Sequence, residues 1–185
     1  MSDQAGDDSA EGIAFREAGH AVMAYLIVKA GIADSSFAAP ISQGDRELLV
    51  PQFKAVAADG ALSDLMQPRS SLRNLITVPL FVFAGFAAQR IHRDPSSEPV
   101  AGKSRAEGLA RGMMHGYWEE FGGDASGAGS KLQQFIDDWN EFAHETIRDH
   151  WKSVSALAER LLEERELSRE EAFEVIERHL AGKGG

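Results

Sequence analysis

Gly12-Ile13-Ala14-Phe15-Arg16-Glu17-Ala18-Gly19-His20-Ala21-Val22-Met23-Ala24-Tyr25-Leu26-Ile27-Val28-Lys29 carries apolar side chains around nearly the whole of a helical wheel. A surface helix keeps a polar face, so this composition predicts a helix that is central and buried. Gly31 stands where a left-handed cap residue ends such a helix.

Outward from this segment, the bulk composition bounds the rest. The chain has 185 residues, 43% hydrophobic and 26% charged, which suits one globular domain with a real core and leaves little room for two. The assignment is a disordered acidic tail over 1–10, a single domain over 11–182 and a short tail over 183–185. A net charge of −10 with no gathered cations argues against nucleic acid and anionic lipid as partners. With no cysteine, disulfides, thiolate metal sites and a cysteine nucleophile are excluded, so any metal would need His, Asp or Glu. Met1 to Ala10 has neither a basic flank nor an apolar stretch and does not read as a signal peptide. The most apolar run, Leu75 to Ala88, is interrupted by Pro79 and Gly85 and falls short of the about 20 residues that cross a bilayer. A soluble, cytoplasmic protein without membrane insertion is the expectation.

After Gly31, the pieces Ser36–Ile41 and Leu48–Phe53, separated by Gly44-Asp45, suggest a small β hairpin. Ser63 or Ser70 offers the next helix start, and Leu72 to Arg93 reads as a buried helix containing Pro79 and ending before Asp94-Pro95. Lys103 to Glu120 is helical by pattern, and Gly108, Gly112 and Gly116 would give it a bare face for close packing. Gly122 to Ser130 reads as a flexible loop, followed by a capping box at Ser130–Gln133. From Phe135 to Leu162 one apolar stripe predicts a single helix of about nine turns. Ser168 with Glu171 forms a second capping box, opening a last helix that ends near Gly182 and closes a C-terminal helical hairpin. The fold class is therefore mainly α with one small β element.

The chemistry-bearing stretch is Phe15-Arg16-Glu17-Ala18-Gly19-His20-Ala21-Val22. In helical zinc peptidases, His-Glu-x-x-His sets two imidazoles one turn apart to hold zinc, with the Glu as general base. Glu-Ala-Gly-His-Ala-Val resembles the active-site helix of the FtsH peptidase family, which shows H-E-A-G-H-A. The likeness continues at Leu80 to Ala88, similar to that family's A-G-x-A-A-E segment with Gln89 where Glu is usual, and at Gly122 to Leu132, where a Gly/Ser-rich loop leads to Lys131-Leu132 in place of Asp-Leu. Asp149 to Leu167, followed by a capped last helix, looks like the closing hairpin of short stand-alone relatives.

Carried across residue by residue, the resemblance implies that Glu17 matches the general base and His20 one zinc ligand, while Arg16 and Lys131 occupy the other two ligand positions. A guanidinium has no lone pair to give, and an ammonium must lose its proton first. Zinc needs about three protein ligands, so the expectation is a degenerate site with no cofactor. The implied function is a non-catalytic relative that binds a peptide or protein through the former substrate cleft, with a homo-oligomer permitted. The alternative is an active zinc metallopeptidase that completes its site with unexpected ligands, such as Asp124. Buried cations need partners, and since neighbours i and i+1 do not face each other on a helix, Glu17 is expected to pair elsewhere than with Arg16. Read without the resemblance, Arg16, Glu17 and His20 are a polar patch at one end of a buried helix.

Other constellations carry less. Glu141 and His144 share a helix face that reads as a solvated polar surface, with His150 too far round to join them. Ala101-Gly102-Lys103-Ser104 mimics the end of a phosphate-binding loop but lacks the first glycine, so no ATPase module is expected. No Gly-x-Ser-x-Gly elbow accompanies the six histidines.

Overall fold

The computed structural model describes residues 9–32, 41–42, 72–97 and 125–180. Among them are five helices, α1 (Ala10–Lys29), α2 (Leu72–Arg93), α3 (Ala125–Asp149), α4 (Trp151–Glu164) and α5 (Arg169–Leu180), and two strands, β1 (Ile41–Ser42) and β2 (Glu166–Leu167). The protein is mainly helical.

α1 is the hub. Its N-cap is Ser9, whose hydroxyl accepts the Gly12 N–H at 3.0 Å, so Ser9 caps and Ala10 opens the helix, while 1–8 lie outside the described residues. At the other end Gly31 takes φ +68°, the Gly31 N–H reaches the Val28 carbonyl and the Ile32 N–H reaches the Ile27 carbonyl. These two bonds are the pair that satisfies orphan carbonyls at a glycine-terminated helix. Twelve of the 20 residues of α1 are buried, because α2 and α4 cover it on broad fronts and α3 and α5 touch it as well.

The contact with α2 is set by a missing side chain. A Cβ on Gly19 would stand 2.6 Å from both the Ala84 carbonyl oxygen and the Ala88 Cβ, so the two backbones approach as closely as glycine allows. Ala84, Ala87 and Ala88 keep the α2 side of this contact equally small, while Leu80, Val82, Phe83 and Ile91 fill the flanks. Pro79 lies inside α2 and withholds one backbone donor from the ladder.

A three-ring stack ties α4 to the same core. Phe15 of α1 lies between His92 of α2 at 3.8 Å and Trp151 of α4 at 5.4 Å, both near parallel. Val154, Leu157, Ala158 and Leu161 continue the buried stripe of α4, and Ala172 and Ile176 close it from α5. Ser168 and Glu171 exchange hydrogen bonds, the Ser168 N–H donating to the Glu171 carboxylate at 2.8 Å and the Glu171 N–H to the Ser168 hydroxyl at 3.2 Å, so the second capping box forms as its spacing predicts.

Two local expectations are corrected and one pairing is added. The stripe read as one nine-turn helix breaks at His150, which leaves helical geometry (φ −104°, ψ 20°) while its Nδ1 lies 2.8 Å from the Thr146 carbonyl oxygen. A side chain bonding back four residues competes with the helical ladder, yet the apolar spacing carries on across the break. The stretch 125–130, read as a flexible loop, is the first part of α3, so Ser130 lies inside a helix; Gln133 instead donates to Asp137 at 2.7 Å. Finally, β1 pairs antiparallel with β2, Ile41 opposite Leu167, a partner the sequence reading did not name. Two-residue strands carry no periodicity that could name a partner so far along the chain. Leu48–Phe53, the Lys103–Glu120 helix and its glycines lie outside the described residues.

The close approach at Gly19 leads to a direct expectation. Gly19→Ala raises helix propensity but forces a methyl into backbone, and we expect a net loss of about 1–3 kcal/mol in urea unfolding. Gly31→Ala, with open space around it but a left-handed φ, should cost no more than about 1–2 kcal/mol and should be relieved by Gly31→Asn, which has no counterpart at Gly19.

Candidate functional site

The middle of α1 presents Arg16, Glu17 and His20 within one turn. The Glu17 carboxylate divides between two side chains: one oxygen lies 3.3 Å from Arg16 Nε, the other 3.4 Å from His20 Nδ1. Arg16 therefore does pair with its sequence neighbour, correcting the expectation from helix geometry; the long arginine side chain curls back along the helix where a short one could not. Burial pushes the Glu17 carboxyl up, but the charge and hydrogen bond of His20, and then those of Arg16, outweigh it and hold the group below its ordinary value.

His20 is 3% exposed and is clamped by α2. Its ring stacks on Phe81 at 4.5 Å between centroids. Its Nε2 faces Gly85 so closely that a Cβ there would stand 2.1 Å away, and this nitrogen is buried with no hydrogen-bond partner. One ring nitrogen is thus turned to Glu17 and the other to the bare backbone of α2. Phe81 and Gly85 complete this setting, and the sequence signal for them was the Ala84-Gly85 pair beside the Glu-Ala-Gly-His stretch.

Zinc would need three donors at about 2.0–2.2 Å around one point. Among the described residues no three His, Asp or Glu side chains come together in a way that could hold a metal ion. The one unpartnered nitrogen of His20 opens onto α2 backbone, and Arg16 fills the place one turn before it with a group that cannot coordinate. The described residues do not fit zinc. Lys131 falls within α3, but its side chain lies outside the described residues, as does Asp124. Gln89 is buried in α2 on the site's helix.

The Glu141–His144 face is corrected. Glu141 and Glu145 are exposed, but His144 is 0% exposed, and neither of its ring nitrogens has a partner. Its spacing from Ile136, Asn140, Ala143 and Ile147 puts it on the buried side of α3, which packs on α2. Desolvation, with the nearby positive charges of Arg148 and Arg90, lowers its pKa to about 4. It is a neutral core residue, not a ligand.

Two outcomes test this geometry. Gly85→Ala and His20→Ala should each destabilise the fold, by overpacking and by a cavity respectively, yet the double variant should be less unstable than the sum by about 1 kcal/mol or more, since the new methyl fills the space the ring vacates. For His144, the unfolded chain takes up a proton below pH 6.5 while the folded chain refuses it until about 4, so stability is complete above 6.5 and falls as the pH drops. Between pH 7 and pH 5 the loss should be about 2 kcal/mol, and His144→Leu should remove that slope. No helix of the described residues is long and apolar enough to cross a membrane. Compared with protein-family models and with curated proteins, the chain matches none.

Proposed function

We propose that the chain is a non-catalytic relative of the FtsH-type zinc metallopeptidases that serves as a peptide- or protein-binding module. The observation that carries this reading is the state of Glu17. A general base needs an oxygen free to face a water and a pKa raised toward the working pH. Glu17 has one oxygen turned to Arg16 and the other to His20, and its pKa is displaced downward. Arg16 brings a fixed positive charge beside the carboxylate, a role a metal would otherwise fill. The likeness of Glu-Ala-Gly-His-Ala-Val to the family's helix supports descent, and the Gly19 and Gly85 contacts supply a packing reason for retaining those letters after the chemistry is gone.

The competing reading, an active zinc metallopeptidase, draws on the unpartnered Nε2 of His20 and on acids elsewhere in the chain. The deciding experiment is metal analysis of protein purified without chelator, together with hydrolysis assays on an unfolded protein substrate. The proposal expects zinc well below one ion per chain and no cleavage beyond that of Glu17→Gln. One zinc per chain, with cleavage abolished by Glu17→Gln and by His20→Ala, would overturn it. In the combined Arg16→His and Lys131→Asp variant, a retained fold should gain zinc affinity if Lys131 stands at the third ligand position.

A further inference from the structure

Among the described residues, nothing covers an aromatic row on α3. Phe135 is 48% exposed and Phe142 54%, and half-buried Trp139 lies between them, its ring 6.0 Å from that of Phe135. Positions i, i+4 and i+7 share one helix face, so the three rings form a strip about 10 Å long. A soluble domain leaves single apolar side chains exposed without consequence, but two phenylalanines aligned with a tryptophan make a surface suited to a partner.

The charge beside the strip indicates what kind of partner. Asp138, Glu141 and Glu145 are exposed on the neighbouring face of the same helix and make no ion pair among the described residues. The whole chain carries −10. A second copy laid on this face would bring two acidic rows together, which opposes self-association. An amphipathic helix with apolar anchors at helical spacing and Lys or Arg along one flank satisfies both the rings and the acids.

We infer that the aromatic strip of α3 is the docking surface for a cationic amphipathic helix of a protein partner. Phe135, Trp139 and Phe142 receive its apolar side, and Asp138 and Glu145 receive its cations. This deepens the binding-module reading and rests on it, because it names the face and the chemistry of what is bound.

The test uses the full chain and three labelled synthetic peptides followed by fluorescence anisotropy: a Leu/Lys amphipathic helix, the same helix with Glu for Lys, and a Leu/Lys scramble without an apolar face. The Leu/Lys helix should bind, more weakly as salt rises, and the other two should bind at least about tenfold more weakly. Phe135→Ser with Phe142→Ser should weaken binding about tenfold with helicity unchanged, and Asp138→Lys with Glu145→Lys should do the same while flattening the salt dependence. Equal binding of helix and scramble, or binding untouched by both double variants, would overturn the inference. So would a concentration-dependent dimer in sedimentation that the phenylalanine variant abolishes, since a second copy would then be the occupant. Cleavage of the peptide with binding still lost in both double variants would instead overturn the non-catalytic reading and leave this surface in place.

Discussion

The structure depends on the contact between α1 and α2 at Gly19 and Gly85. Glycine on α1 lets the α2 backbone come up to van der Waals limits, and glycine on α2 opens the notch that His20 occupies. Around this contact Phe15 stacks with His92 of α2 and Trp151 of α4, and small residues at 84, 87 and 88 complete the interface. Packing of this kind responds to a single methyl, since an interior at crystal-like density has no slack to absorb one.

The same contact decides the chemistry. An imidazole sunk into a notch, stacked on Phe81 and hydrogen-bonded to Glu17 has its orientation fixed by packing. Placed so, it is well suited to a structural role and poorly suited to offering a lone pair to a metal. Arg16 then balances the half-buried carboxylate, which burial alone would drive toward the neutral form. Charge pairing and packing act together here: Glu17 meets both Arg16 and His20 Nδ1 within one turn of one helix, while His20 Nε2 is enclosed against α2 without a hydrogen-bond partner.

Much of the framework was legible in the sequence because long elements announce themselves. α1 and α2 read correctly from all-round apolarity and from punctuation at Gly31 and Asp94-Pro95, and the capping box at Ser168 was visible as a spacing. What escaped was non-local or marginal. The apolar stripe runs unbroken past His150, so nothing periodic marks the end of α3 there. Ala125 to Ser130 is rich in glycine and serine, poor helix formers, yet helical in its final setting, as tertiary context commonly overrides propensity. The pairing of Ile41 with Leu167 depends on where two helices place their ends. At the site, the residue types were readable but their relations were not: Arg16 turning back on Glu17, the ring of His20 closed in by Phe81 and Gly85, and the burial of His144 all depend on how α2 and α3 pack.

The most direct measurement of the central claim is a long-range proton–nitrogen spectrum of the histidine rings recorded with and without one equivalent of zinc. If the ring of His20 is held in the notch as described, with Nδ1 on Glu17 and Nε2 enclosed against Gly85, its two resonances stay where they are when zinc is added. A coordination shift at His20 Nε2 would contradict the account, because it would mean that the nitrogen facing Gly85 is free to leave the notch and take a metal.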